Sequence, residues 1–91
     1  MKLSLLSAAD VQRSLSDWLR EQRKARKLSR QALAERSTVP APTIKKFETT
    51  GQISLRQFLL LWQTLDDLKR MHELTVEPKS TPASIDEVLR S

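Results

Sequence analysis

Cysteine is absent from this 91-residue chain, which excludes a disulfide framework, a thiolate nucleophile and cysteine-ligated zinc. Histidine occurs once, as His72, leaving little for imidazole metal binding or Ser-His chemistry. Tyrosine is missing, and Gly51 is the only glycine, so no glycine-rich loop can cradle a phosphate. The longest apolar run is Phe58-Leu59-Leu60-Leu61-Trp62, far short of the ~20 residues of a membrane span. No basic stretch followed by a long apolar core opens the chain, so no secretory leader and no membrane partner are expected. At 91 residues there is room for one small domain, too little for most enzymes. No catalytic constellation, metal site or cofactor is expected.

What the chain does have is positive charge, unevenly placed. Residues 1–50 hold 11 basic and 5 acidic side chains, whereas residues 51–91 hold 5 and 6. Within 20–30 stand Arg20, Arg23, Lys24, Arg26, Lys27 and Arg30 against Glu21 alone. Such density is the electrostatic footprint of a polyanion partner, set against the plainer reading of a solvated helix face.

The hydrophobic pattern is helical nearly throughout. A hydrophobe, a capping residue and a second hydrophobe four after the cap recur as Leu6-Ser7-Val11, Leu28-Ser29-Leu33, Val39-Pro40-Ile44 and Ile53-Ser54-Phe58, each a staple across a helix start. Ser54 and Gln57 form a capping box, and Asp10 favours the first helix dipole. Helices are expected over 8–26, 30–37, about 42–49 and 55–65, with a break at Asp66-Asp67 and a fifth helix through Leu74. Pro42 is the expected first residue of the third helix, because proline disfavours the helical region in the residue before it. Gly51 is the natural left-handed end of that helix. Val11, Leu15, Trp18 and Leu19 should be buried on the first helix, and Leu55, Phe58, Leu59, Trp62 and Leu65 on the fourth. The two tryptophans then read as core rather than as stacking platforms, and His72 as a surface or interface residue. Leu3 and Leu5 suggest a short N-terminal arm. Pro78 and Pro82 mark residues 77–91 as a flexible tail after a domain at 1–76, its Ser84, Ile85, Glu87, Val88 and Leu89 forming a short docking segment.

Residues 19–48 resemble the Xre or lambda-repressor-like helix-turn-helix family. The register is carried by Leu19, Arg23, Leu28, Ser29, Leu33, Ala34, Val39, Thr43, Ile44, Phe47 and Glu48. The resemblance implies an all-α, five-helix domain whose third helix enters the DNA major groove. It implies that Arg23 and Glu48 form the structural ion pair joining the first helix to the end of the third. By the same resemblance Arg30, with Gln31 beside it, lies near the DNA backbone, Ala41, Pro42, Lys45 and Lys46 occupy the reading face with Thr43 assisting, and Thr49, Thr50 and Gln52 approach a phosphate. Lys27, in the basic run at the junction of the first two helices, is expected to contact backbone phosphates with Arg30. Departures from the family are Arg30, where glutamine is usual at the start of the second helix, Thr38 in place of the turn glycine, and Pro40 in place of the third-helix cap. Ala41 and Pro42 can offer a base only apolar contact, so readout is expected to lean on phosphate contacts, shape and the two lysines.

A sequence-specific DNA-binding regulator with a palindromic operator is therefore expected, cytoplasmic in a bacterium and nucleoid-associated when bound. The layout is similar to HipB-type antitoxins, which implies autorepression and a HipA-type kinase toxin as partner. Surplus apolar surface at Leu60, Leu61, Leu68 and Met71 points to a homodimer. The competing reading is a protein-interaction module that keeps the fold and no longer reads DNA, favoured by Ala41 and Pro42.

Overall fold

A computed structural model describes residues 5–76. It is all-helical, with no strand among the described residues: α1 (Ala8–Ala25), α2 (Arg30–Ser37), α3 (Ala41–Thr50), α4 (Leu55–Leu65) and α5 (Leu68–His72), followed by a 3₁₀ turn at Glu73–Thr75. Helix α1 packs on α3 and α4, and α2 packs on the same two helices. Their shared core is Leu19, Leu28, Leu33, Val39, Ile44, Phe47, Phe58, Leu61, Trp62 and Leu65. Leu3 of the expected arm, and the 77–91 tail with Ser84, Ile85, Glu87, Val88 and Leu89, lie outside the described residues.

The helix starts follow from local hydrogen bonding. Ser29 and Ser54 each accept the amide of the residue three further on, Ala32 and Gln57. Ser7 and Asp10 form a reciprocal capping box at α1, with both bonds made. The Ser7 amide first, and the Ser7 hydroxyl second, hold the Asp10 carboxyl below its ordinary value. The leucine and valine expected to staple this start are instead largely exposed, Leu6 at 70% and Val11 at 45%. Helix α3 begins at Ala41 rather than Pro42, with Pro40 at the cap. No side chain caps it. Pro42 has no N–H to satisfy, and the amides of Thr43 and Ile44 both reach the Pro40 carbonyl.

Among the described residues three helices end on a left-handed residue, and one of these is glycine. Lys27 (φ 55), Thr38 (φ 67) and Gly51 (φ 78) follow α1, α2 and α3. After α1 the Lys27 amide bonds the Lys24 carbonyl and the Leu28 amide bonds that of Arg23, the paired bonds of a Schellman motif. This turn returns Leu28 to the core. After α2 the Thr38 amide bonds Ala34, and the Ser37 hydroxyl accepts the Val39 amide, so the three-residue connection buries Val39.

Helix α4 corrects the expected burial. Its inward stripe is Phe58, Leu61, Trp62 and Leu65, spaced three, one and three residues apart. Leu61 is fully buried and so cannot belong to a surface between copies, as was expected of it. Leu55, expected in the core, is 73% exposed, and Leu59 is half-buried. Trp62 stacks on Trp18 with centroids 4.4 Å apart, and its indole N–H donates to the Asp67 carbonyl at 2.9 Å. Arg70 lies 5.5 Å over the same ring and pairs with Asp66, fastening α5 to α4 across the Asp66-Asp67 break. Trp18 itself is half-buried.

Candidate nucleic-acid interface

The unit that presents α3 is built from three supports. Its inner face inserts Ile44 and Phe47 into the core, with Phe47 edge-on to Phe58 at 5.6 Å. At its start, the buried Val39 fixes the turn from α2. At its end, the Glu48 carboxylate accepts Nε of Arg23 at 2.7 Å and Nη2 at 3.0 Å, and Nε of Arg30 at 3.0 Å. Burial alone would push the Glu48 carboxyl up; the hydrogen bonds and charges of the two arginines outweigh it and hold the group below its ordinary value.

These supports leave the outer face of α3 exposed. Lys45 and Lys46 are exposed and enter none of the ion pairs among the described residues. Pro42, Thr43, Lys46 and Gln52 line one open groove together with Ile53, Ser54 and Gln57. The groove thus joins the first turns of α3 to the start of α4. The expected capping box of Ser54 and Gln57 is made only in part: the Ser54 hydroxyl accepts the Gln57 amide, but the Gln57 side-chain carbonyl accepts that hydroxyl at 3.1 Å rather than the Ser54 amide, and nothing in the sequence pointed to either residue at this groove. Ala41 is half-buried and Pro42 exposed, so only the proline contributes its side chain fully to this surface. The Thr50 hydroxyl donates to the Lys46 carbonyl at 2.6 Å and accepts the Gln52 amide at 3.1 Å. Its role is to turn the chain out of α3, and Gln52 is the member of that pair whose side chain lines the groove.

The basic run at 20–30 divides by function. Arg23 is buried, and besides Glu48 it donates to the Leu28 carbonyl at 2.8 Å. Arg26 bonds Gln22 and the last carbonyl of α4, that of Leu65. Arg30 commits Nε to Glu48 while a third of its side chain stays exposed. Arg20, Lys24 and Lys27 are exposed and enter none of these bonds. Half of the run therefore holds the fold together, which charge density could not reveal. Lys27, Arg30 and Gln31 flank the start of α2 and do not line the groove of α3.

Among the described residues, no group of His, Cys, Asp and Glu could hold a metal ion, and no helix is long and apolar enough to cross a membrane. The chain matches no protein-family model, no curated protein and no solved structure.

Proposed function

We propose that the chain is a sequence-specific DNA-binding transcriptional regulator of the lambda-repressor-like helix-turn-helix class, acting as a homodimer. One observation carries the reading: α3 is locked from behind by Ile44, Phe47 and Glu48, while its free face carries two lysines that enter no ion pair among the described residues, beside a groove of mixed polar and apolar lining. An α-helix is about as wide as the DNA major groove, and a rigid mount is what base-edge recognition needs. In this reading Lys45 and Lys46 reach guanine edges or flanking phosphates, Pro42 offers apolar contact to a thymine methyl, and Thr43 and Gln52 bond at the groove. Lys27, Arg30 and Gln31 neutralise or bond the backbone at the start of α2. Two copies joined through Leu60, Leu68 and Met71 place two reading helices one DNA turn apart.

The narrower role is that of a HipB-type antitoxin and autorepressor partnered by a HipA-type kinase toxin, in the bacterial cytoplasm. It rests on the sequence resemblance, and the test is whether a kinase-like reading frame adjoins the gene and its product co-purifies with this chain.

Fluorescence anisotropy with duplexes from the gene's own promoter tests DNA reading. Saturable binding that prefers one palindrome, lost on Lys45→Glu/Lys46→Glu, supports it. The absence of binding at low salt would leave the interaction module, the reading favoured by the lack of hydrogen-bond donors on Ala41 and Pro42.

A further inference from the structure

Beside the inward stripe of α4 runs a second one. Leu55, Arg56, Leu59, Leu60 and Gln63 line a shallow groove of about 380 Å³, closed at one end by Leu68 of α5. Leucines supply four of its six lining residues, whereas the depressions beside α3, at the start of α1 and along residues 17–24 have no leucine in their lining. Leu59 and Leu60 are half-buried, Leu55 is mostly exposed, and Arg56 and Gln63 are exposed at the rim. Arg56, Leu59, Leu60 and Gln63 follow one another at helical spacing, so they share a face.

That face has an internal symmetry. Arg56 stands three residues before Leu59, and Gln63 three residues after Leu60. A two-fold axis passing between Leu59 and Leu60 sets Leu59 against Leu60 of a second copy, and Arg56 against its Gln63. The guanidinium then donates to the amide carbonyl twice, once at each end. The same operation brings Leu68, beyond the end of one α4, toward Leu55 at the start of the other. A parallel pairing would instead place Arg56 against Arg56.

We infer that this groove is the contact between two copies of the chain, closed by antiparallel pairing of α4 with Leu59 and Leu60 at the axis and Arg56–Gln63 at both rims. The inference deepens the homodimer proposed above and rests on that self-association, but not on DNA binding. Relative to the sequence expectation, it keeps Leu60 and Leu68, replaces Leu61 with Leu55 and Leu59, and leaves Met71 outside the groove. An isologous contact needs a surface complementary to itself, and this stripe supplies leucine for leucine and donor for acceptor.

Sedimentation equilibrium on the full chain tests it, because Arg56 and Gln63 are exposed and their substitution leaves the core intact. Gln63→Glu creates two ion pairs with Arg56 and should tighten the dimer roughly three- to tenfold, an effect that added salt reduces. Gln63→Arg opposes two guanidinium groups and should loosen it by a similar factor. Arg56→Glu/Gln63→Arg restores opposite charges in reversed order and should recover association at least as tight as the unaltered chain. A dimer indifferent to all three variants overturns the pairing and leaves the dimer itself standing. A monomer at hundreds of micromolar overturns both, with the groove then covered from within the chain or by another protein.

Discussion

Glu48 sits in the fork of Arg23, its two oxygens 2.7 and 3.0 Å from Nε and Nη2, on a side chain with no solvent exposure. The remaining guanidinium nitrogen holds the Leu28 carbonyl, so one residue of α1 ties the exit of its own helix to the end of α3. Breaking a buried pair from one side leaves a charge without its partner, at a cost of about 3–5 kcal/mol. Arg23→Ala is expected to cost toward the lower end, about 3 kcal/mol, because Arg30 still bonds Glu48. Urea unfolding measures it; a loss under ~1 kcal/mol would mean the pair is marginal to the fold.

The same pair makes stability depend on pH in one direction. The folded Glu48 carboxyl titrates below its ordinary value: burial raises it, and the hydrogen bonds of Arg23 and Arg30 more than reverse that. Its contribution is therefore complete above the unfolded value of about 4.3 and is lost as pH falls through the folded one. Unfolding curves from pH 7 to pH 3 should show the difference between the unaltered chain and Glu48→Gln shrinking below about pH 4.3. A difference that stays constant across that window would contradict the assignment.

Left-handed ends give a second stability test. A non-glycine residue in that region costs about 1–2 kcal/mol, and Lys27 and Thr38 both bear it. Lys27→Gly and Thr38→Gly should each raise unfolding free energy by roughly 0.5–1 kcal/mol, after the added freedom of glycine in the unfolded chain is subtracted. Gly51→Ala should do the reverse, by about 1 kcal/mol or more. Its added Cβ would lie 3.3 Å from that of Gln12, whose amide donates to the Gly51 carbonyl. Thermal melts of the three variants decide the signs.

Legibility from sequence tracked how local the cause was. The boundaries of α2 and α4 follow from Ser29 and Ser54, whose hydroxyls bond amides three residues away, and the end of α3 from Gly51. The left-handed Lys27 leaves no mark in the sequence because the turn is made by main-chain bonds, Lys27 N–H to the Lys24 carbonyl and Leu28 N–H to that of Arg23, which no particular side chain at 27 announces. The Arg23–Glu48 pair could be named through the family resemblance, yet the addition of Arg30 to it could not, since that bond depends on how α2 meets α3. Helix α4 was misread for another reason. With leucine at 55, 59, 60 and 61, two overlapping stripes satisfy a 3.6-residue period, and both include Phe58 and Trp62. Periodicity cannot choose between them, and packing against α1 and α2 does.

That choice is itself testable by a pair of leucines. Leu61→Ala opens a cavity in the core and should cost about 2–5 kcal/mol, whereas Leu59→Ala, half-buried on the other stripe, should cost under ~1.5 kcal/mol. Equal losses by chemical denaturation would put both leucines in one environment and contradict the burial seen here.

The last expectation concerns salt. Because half of the basic run is spent inside the fold, the cations that the run and α3 still offer a polyanion are Lys27, Lys45, Lys46 and the uncommitted part of Arg30, with Arg20 and Lys24 on the far stretch of α1. Each phosphate neutralised should contribute about −0.9 to the slope of log affinity against log salt. Lys27→Ala should flatten that slope by about 0.9 and weaken all duplexes alike, since a phosphate carries no sequence. Lys46→Ala, beside the groove with Thr43 and Gln52, should weaken the preferred site by roughly 1–3 kcal/mol and reduce its margin over other sequences if the lysine donates to a guanine edge. Anisotropy titrations across a salt series separate the two effects. Uniform weakening with a flattened slope for Lys46→Ala would assign it to a phosphate, and unchanged affinity for Lys45→Ala/Lys46→Ala would remove α3 from recognition.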